Sequence, residues 1–284
     1  MKTILYRLRR TLLGLFVICF VALLLSVQVA RAADREKVEA FLEVTGFDVA
    51  LDSIALTARD APEMLGLSEN DFGSEWSQLS ERVFDKTEMR KAALEILTNT
   101  LEDGALSHAA DFYASALGQR LVAAENASHL VEEGDLKQIA GQRIISDLVK
   151  AGSDRVALFK RMGSAIDTSD TGVKSVQEIQ FRFLMAADAA GVVDLQLDAE
   201  GLRAFQRGQE GELRMALQAS NLAASAYTYQ GFTDQEILSY VEALETPEMQ
   251  EVYTLLNAVQ FEIMASRFEE LAYQMKQLEQ GEDI

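Results

Sequence analysis

The chain has 284 residues, with 45 Asp plus Glu against 26 Lys plus Arg, one Cys and two Pro. Hydrophobic residues make up 49% and charged residues 25%, which excludes wholesale disorder, collagen-like repetition and a small disulfide-stapled scaffold. A chain of this length forms one large or two small domains around a sizeable core.

Residues 1–33 hold no acid but carry Lys2, Arg7, Arg9 and Arg10, then an apolar run from Leu12 to Val29 and the small-x-small triplet Ala30, Arg31, Ala32. This order is that of a secretory signal peptide cut after Ala32. The run is also just long enough for a retained anchor, which is the competing reading. Cleavage predicts a periplasmic or secreted protein with no stable membrane insertion. Cys19 leaves with the signal, so thiol catalysis, thiolate metal sites and disulfides are not expected. Losing five basic residues and no acid takes the net charge from −19 to −24. Such a polyanion repels phosphate backbones, and no basic patch offsets it, so nucleic acid is not an expected partner.

The mature chain reads as helices, because Pro62 and Pro247 are its sole prolines and Ala, Leu, Glu and Gln recur at helical spacing. Asp34 caps a first helix that Gly46 stops. A second helix starts near Phe47 and ends before Pro62 and Gly66. Ser68–Ser74 is turn-rich, and Trp76, Leu79, Val83 and Phe84 mark a short amphipathic helix. Asp85 with Glu88 has capping-box spacing and starts the next one. Further helices are expected at 104–114, 116–131, 135–151, 154–166 and 174–190. Val192–Leu197 is the best strand candidate, but a lone short strand is marginal and it reads as an extended connector.

Asp198 caps a long helix to about Tyr229, with a kink expected near Gly208 and Gly211. Thr233 and Glu236 repeat the capping-box pattern. Thr246 is an N-cap before Pro247, a residue that suits the first helical position. The last helix carries Val252, Leu255, Val259, Ile263, Phe268, Leu271 and Met275 and should brace most of the molecule. The fold class is therefore all-α: a helical bundle of two related helical subdomains with no substantial sheet. Residues 33–166 form the first subdomain, 167–172 a linker and 173–284 the second. A shift of 131 positions supports the pairing: it lays Leu101 on Phe232, Asp103 on Asp234, Leu121 on Val252 and Asn126 on Asn257, and matches the Ser115 turn to the Thr246 turn.

Phe112, Tyr113, Ala114, Ser115, Ala116, Leu117, Gly118, Gln119 and Arg120 resemble the helix-turn-helix signature of the bacterial family called domain of unknown function 2059. In that family an aromatic pair precedes a Ser-Pro-x-Gly turn and a Gln-Lys or similar pair. Ala116 stands in place of the proline, and in the second half Met249 stands where glycine belongs. The resemblance covers about residues 88–150 well and 220–278 poorly. It implies a helical, exported protein with no assigned activity and no catalytic residues to carry over. The residues themselves give Ser115 and Gly118 a structural role as a cap and a close packing point in a helix hairpin.

Candidate chemistry is sparse. His108 precedes Asp111, and His129 has Glu125 and Glu133 one turn away on either side, a pattern open to zinc or acid–base work. No H-E-x-x-H or di-iron spacing accompanies them, so both histidines read as solvated helix faces. Nucleophile elbows and phosphate loops are absent from the sequence. Asp167, Ser169, Thr171, Gly172 and Glu178 fall at positions 1, 3, 5, 6 and 12 of a calcium loop. Lys174 occupies the position where an apolar residue belongs, and a plain linker is preferred. Tyr227, Tyr229, Phe232, Tyr240 and Tyr253, with Met249, Met264 and Met275, either line a groove for a peptide or form the second core; helical spacing favours the core.

No catalytic, cofactor or metal residue is assigned. The expected function is non-catalytic binding of an envelope protein not yet identified. The alternatives are a carboxylate-dependent envelope hydrolase and a calcium-responsive module. The reading supposes that the many carboxylates stay in water, with no ionisable groups converging inside.

Overall fold

The computed structural model describes residues 34–57, 61–67, 73–131, 133–167 and 171–279. The expected signal segment and the calcium-loop residue Ser169 lie outside them. Every regular element among the described residues is helical. In chain order these are α1 (Arg35–Thr45), α2 (Phe47–Thr57), α3 (Ala61–Met64), α4 (Gly73–Val83), α5 (Lys86–Thr100), α6 (Asp103–Ala114) and α7 (Ala116–His129). They continue with α8 (Gly134–Lys150), α9 (Arg155–Ile166), α10 (Gly172–Ala190), α11 (Ala199–Thr228), α12 (Asp234–Leu244) and α13 (Pro247–Glu279).

Side-chain chemistry sets most boundaries. Asp34 accepts from the Glu36 amide and Asp85 from the Glu88 amide at 2.9 Å, each satisfying a backbone donor that a helix start leaves open. Thr233 and Glu236 form a complete capping box at the start of α12. Gly46 ends α1 with φ 70°, a left-handed conformation that residues with a Cβ rarely adopt. The short α3, which begins before Pro62, was not anticipated. The long α11 is helical throughout Gly208 and Gly211, because two glycines weaken a helix without removing a backbone donor. Val192–Leu197 is irregular, as its length suggested.

Helix α13 is the brace. Its 33 residues extend about 50 Å, and it packs against α4, α5, α6, α9, α10 and α12. Met249, Val252, Val259, Ile263, Phe268, Leu271 and Met275 are all buried along it. Leu255, placed on the same stripe from sequence, is only partly buried. Phe268 sits edge-on to Phe84, just past the end of α4, and to Phe183 of α10, with ring centroids 5.3 and 5.5 Å away. One helix thus packs elements from both sides of 167–172 into a single compact unit spanning Ala33–Ile284. Arg182 of α10 adds paired contacts to Glu262 and Glu269 of α13.

The two segments paired by the 131-residue shift both fold as helix–turn–helix pairs, α6–α7 and α12–α13. In the first, Ser115 accepts from the Gly118 amide at 3.0 Å. Gly118 lies so close to the preceding helix that a Cβ there would stand 2.3 Å from the Phe112 carbonyl oxygen. In the second, Thr246 accepts from the Met249 amide at 3.4 Å. His108 of α6 reaches the same hydroxyl, its Nε2 3.2 Å from Thr246 Oγ1, so the first pair touches the turn of the second.

Candidate functional site

Where these two helix pairs meet, four tyrosines from four helices bring their hydroxyls around one carboxylate. Glu125 is on α7, Tyr113 on α6, Tyr229 at the end of α11, Tyr240 on α12 and Tyr253 on α13. Tyr229 and Tyr240 donate to the same oxygen, Glu125 Oε1, at 2.7 and 2.9 Å. The Tyr240 hydroxyl also lies 3.1 Å from that of Tyr113 and 3.0 Å from that of Tyr253, and Tyr113 and Tyr253 are in direct hydrogen-bond contact. A phenol has one proton to give. Tyr240 directs its proton to Glu125, so it accepts from its tyrosine neighbours, and the hydrogen-bond chain points at the carboxylate.

The rings are held by packing. Phe112 stacks on Tyr240, 5.7 Å between centroids and 7° from parallel, while Tyr229 and Tyr113 meet Tyr240 edge-on. Tyr113, Tyr229 and Tyr240 are buried and Tyr253 partly so. Enclosure pushes the hydroxyls of all four above the ordinary phenol range, and the charge of Glu125 adds to the effect. These tyrosines are proton donors at any physiological pH.

Glu125 is enclosed on most sides, yet reaches solvent through a cleft of about 120 Å³. Enclosure raises its carboxyl above the ordinary value, and the two phenol hydrogen bonds oppose that rise. No basic side chain pairs with it among the described residues, and Oε2 accepts no hydrogen bond from them. The expectation that the carboxylates all stay in water therefore fails here. The cause is tertiary: the two phenols that donate to Glu125 lie 104 and 115 positions away in the chain.

The cleft walls come from the ends of α1 and α2, from α6 and α7, and from α13. Asn126 and Asn257, which the 131-residue shift superimposes, both line it. Asn257 donates to the Ile166 carbonyl at 3.0 Å, closing the end of α9. Asn126 Oδ1 is buried without a hydrogen-bond partner among the described residues. It presses against Gly46, where a Cβ would come within 2.2 Å of it; this glycine is needed for close approach as well as for its φ.

His129 also lines the cleft, one turn beyond Glu125. The sequence placed it on a solvated face. It is indeed exposed as a residue, but its ring is crowded, and desolvation followed by the nearby Lys137 charge lowers its proton affinity. Lys137 itself donates to the Ser128 carbonyl at 2.9 Å. Tyr227 is partly exposed and takes no part in the cluster. The buried positions of Tyr229, Phe232, Tyr240, Met249 and Met275 match the core reading. What that reading missed is that the phenol oxygens converge.

The calcium-loop residues have other partners. Asp167 Oδ1 accepts from the amide and hydroxyl of Thr171, and Oδ2 from the Gly172 amide, so this carboxylate caps the start of α10. Glu178 is paired with Arg203 at 2.6 Å. Among the described residues no cluster of three or more His, Cys, Asp or Glu is placed to hold a metal ion, and no helix is long and apolar enough to cross a membrane.

No curated protein and no solved structure matches the chain. Residues 87–147, which contribute Tyr113, Glu125 and His129 to the cleft, match the model of a family described as an uncharacterized protein conserved in bacteria (DUF2059).

Proposed function

We propose that the chain is an exported bacterial protein, released to the periplasm or the medium after cleavage behind Ala32, and that it acts without catalysis by binding a partner protein of the envelope at the Glu125 cleft. The carrying observation is a solvent-reached carboxylate held by two phenol donors, with no cation paired to it among the described residues. A charged group in low-dielectric surroundings is costly unless paired, so the site is electrically incomplete and a partner completes it. Glu125 is the one acid among the cleft-lining residues. A paired-carboxylate hydrolase needs a second acid across the reacting bond, about 5–9 Å away, and this weighs against that reading. Leu136 and Ile139, large apolar side chains three residues apart on α8, are more than half exposed and supply the kind of surface a protein partner covers.

Two measurements test the proposal. The mass of the protein recovered from cells should correspond to a chain starting at Ala33; a mass that retains residues 1–32 refutes release. A photo-crosslinking amino acid at Gln260, which lines the cleft, should give a discrete adduct in envelope extract, and Glu125→Gln should abolish it. Adduct formation indifferent to Glu125, or a hydrolytic turnover that depends on it, sinks the proposal.

A further inference from the structure

We propose that the group the Glu125 cleft takes is a lysine side chain of the partner, its ammonium set against Glu125; the inference rests on the binding reading above. The cleft presents an open, charged acceptor. Tyr229 and Tyr240 both donate to Glu125 Oε1, and Oε2 accepts nothing from the described residues. A ligand rich in N–H groups suits such a site, whereas a carboxylate or phosphate adds acceptors and negative charge to it.

The charged and titratable groups around Glu125 do not stand in the way. Tyr113 of α6, Tyr229 of α11, Tyr240 of α12 and Tyr253 of α13 stay neutral because burial holds their protons. His129 of α7 is kept from protonating by desolvation. Lys137 lies beyond His129, with its ammonium donating to the Ser128 carbonyl. The net charge, −19 for the full chain and more negative still once the basic segment 1–32 is removed, draws cations toward it.

Size narrows the cation. The cleft holds about 120 Å³, somewhat less than a cavity of about 150 Å³ that accepts benzene. The aminobutyl end of lysine, five heavy atoms in a slim chain, fits that space with its charge at Glu125 and its methylenes among lining residues that include the apolar Phe47 and Leu256. A lysine ammonium is a compact charge on a slim stem, which a cleft of this size admits more readily than the planar fork of a guanidinium.

The test is an NMR titration of the purified protein labelled with 13C at tyrosine Cζ and glutamate Cδ. The probes are Nα-acetyl-lysine methylamide, its uncharged isostere Nα-acetyl-norleucine methylamide, and putrescine. The lysine compound should shift the Glu125 carboxyl and the Tyr113, Tyr240 and Tyr253 resonances, and the norleucine compound should not. Glu125→Gln should weaken the lysine compound by about tenfold or more, the loss expected for a hydrogen bond to a charged group. In the wild-type protein binding should weaken as pH falls through the Glu125 titration, an arm that needs no variant. Putrescine binding tighter than the lysine compound would reassign the site to free polyamines and overturn the partner lysine. Equal binding of norleucine, no shift with any probe, or binding unchanged in Glu125→Gln would each overturn the ammonium. If these fail while crosslinking at Gln260 remains dependent on Glu125, the binding protein stands and the lysine falls. If the titration succeeds while crosslinking is indifferent to Glu125, the cleft takes ammonium but is not where the envelope partner docks.

Discussion

Removing the Tyr240 hydroxyl tests whether the phenols serve the ionised carboxylate. In Tyr240→Phe, Glu125 Oε1 keeps only the Tyr229 bond at 2.7 Å, and Tyr113 and Tyr253 lose a shared acceptor. A hydrogen bond to a charged group contributes about 1.5–3 kcal/mol, and one between neutral groups about 0.5–1.5. The substitution should therefore cost about 1.5–3 kcal/mol at pH 8, where Glu125 is ionised. In the Glu125→Gln background, or at a pH low enough to keep the carboxyl protonated in both states, the same change should cost about 1 kcal/mol. The sign follows from the raised carboxyl: the neutral form is favoured in the fold, so Glu125 lowers stability as pH climbs from the unfolded value through the folded one. Tyr240→Phe widens that window by taking away a bond that opposed the rise. Urea unfolding of the four proteins of the cycle at both pH values measures this. A coupling between Tyr240 and Glu125 within about 0.3 kcal/mol of zero at pH 8 would mean independent sites, and the idea of a phenol chain aimed at a carboxylate would be wrong.

Other substitutions probe the frame that holds the cleft. Gly118→Ala places a Cβ on the Phe112 carbonyl and Tyr113 Cα; overpacking of this kind costs about 1–3 kcal/mol, and each kcal/mol lowers the melting temperature by about 2–4 °C in a chain of this size. An unchanged melting curve would show that the α6–α7 turn has slack. Thr233→Ala should cost about 1 kcal/mol through the lost cap. Glu236 is held down to about 2, first by the Thr233 backbone and then by Arg120, so its contribution is present above the ordinary carboxylate range and disappears as pH falls toward 2. The variant should lose less stability than wild type across that acid interval, and an identical acid profile would contradict the assignment. Calcium at about 5 mM, above the affinity range of weak extracellular sites, should leave the melting temperature unchanged because Asp167 caps α10 and Glu178 holds Arg203. A reproducible rise would revive the loop as a ligand set.

The helices were legible because their signals are local. A cap such as Asp85 or Thr233 acts within three residues, and an apolar stripe such as that on α13 repeats within one element. The cleft has no such signal. Glu125 sits on α7 just before Asn126 and one turn ahead of His129, with the look of any acid on a wet helix face, and the sequence had already associated it with His129 for a different chemistry. What removes it from water is a set of rings contributed by α6, α11, α12 and α13. The aromatic cluster was visible only as greasy surface, since hydrophobic spacing counts a tyrosine as core and is blind to where its oxygen goes. Yet one clue was present. The 131-residue shift set Asn126 on Asn257, a polar identity within helices otherwise matched by apolar stripes such as Leu121 on Val252, and both line the cleft. A polar residue kept in phase with two core stripes has to face something other than oil. Read with the Glu one position earlier, it marks the edge where two helix pairs leave a polar space between them.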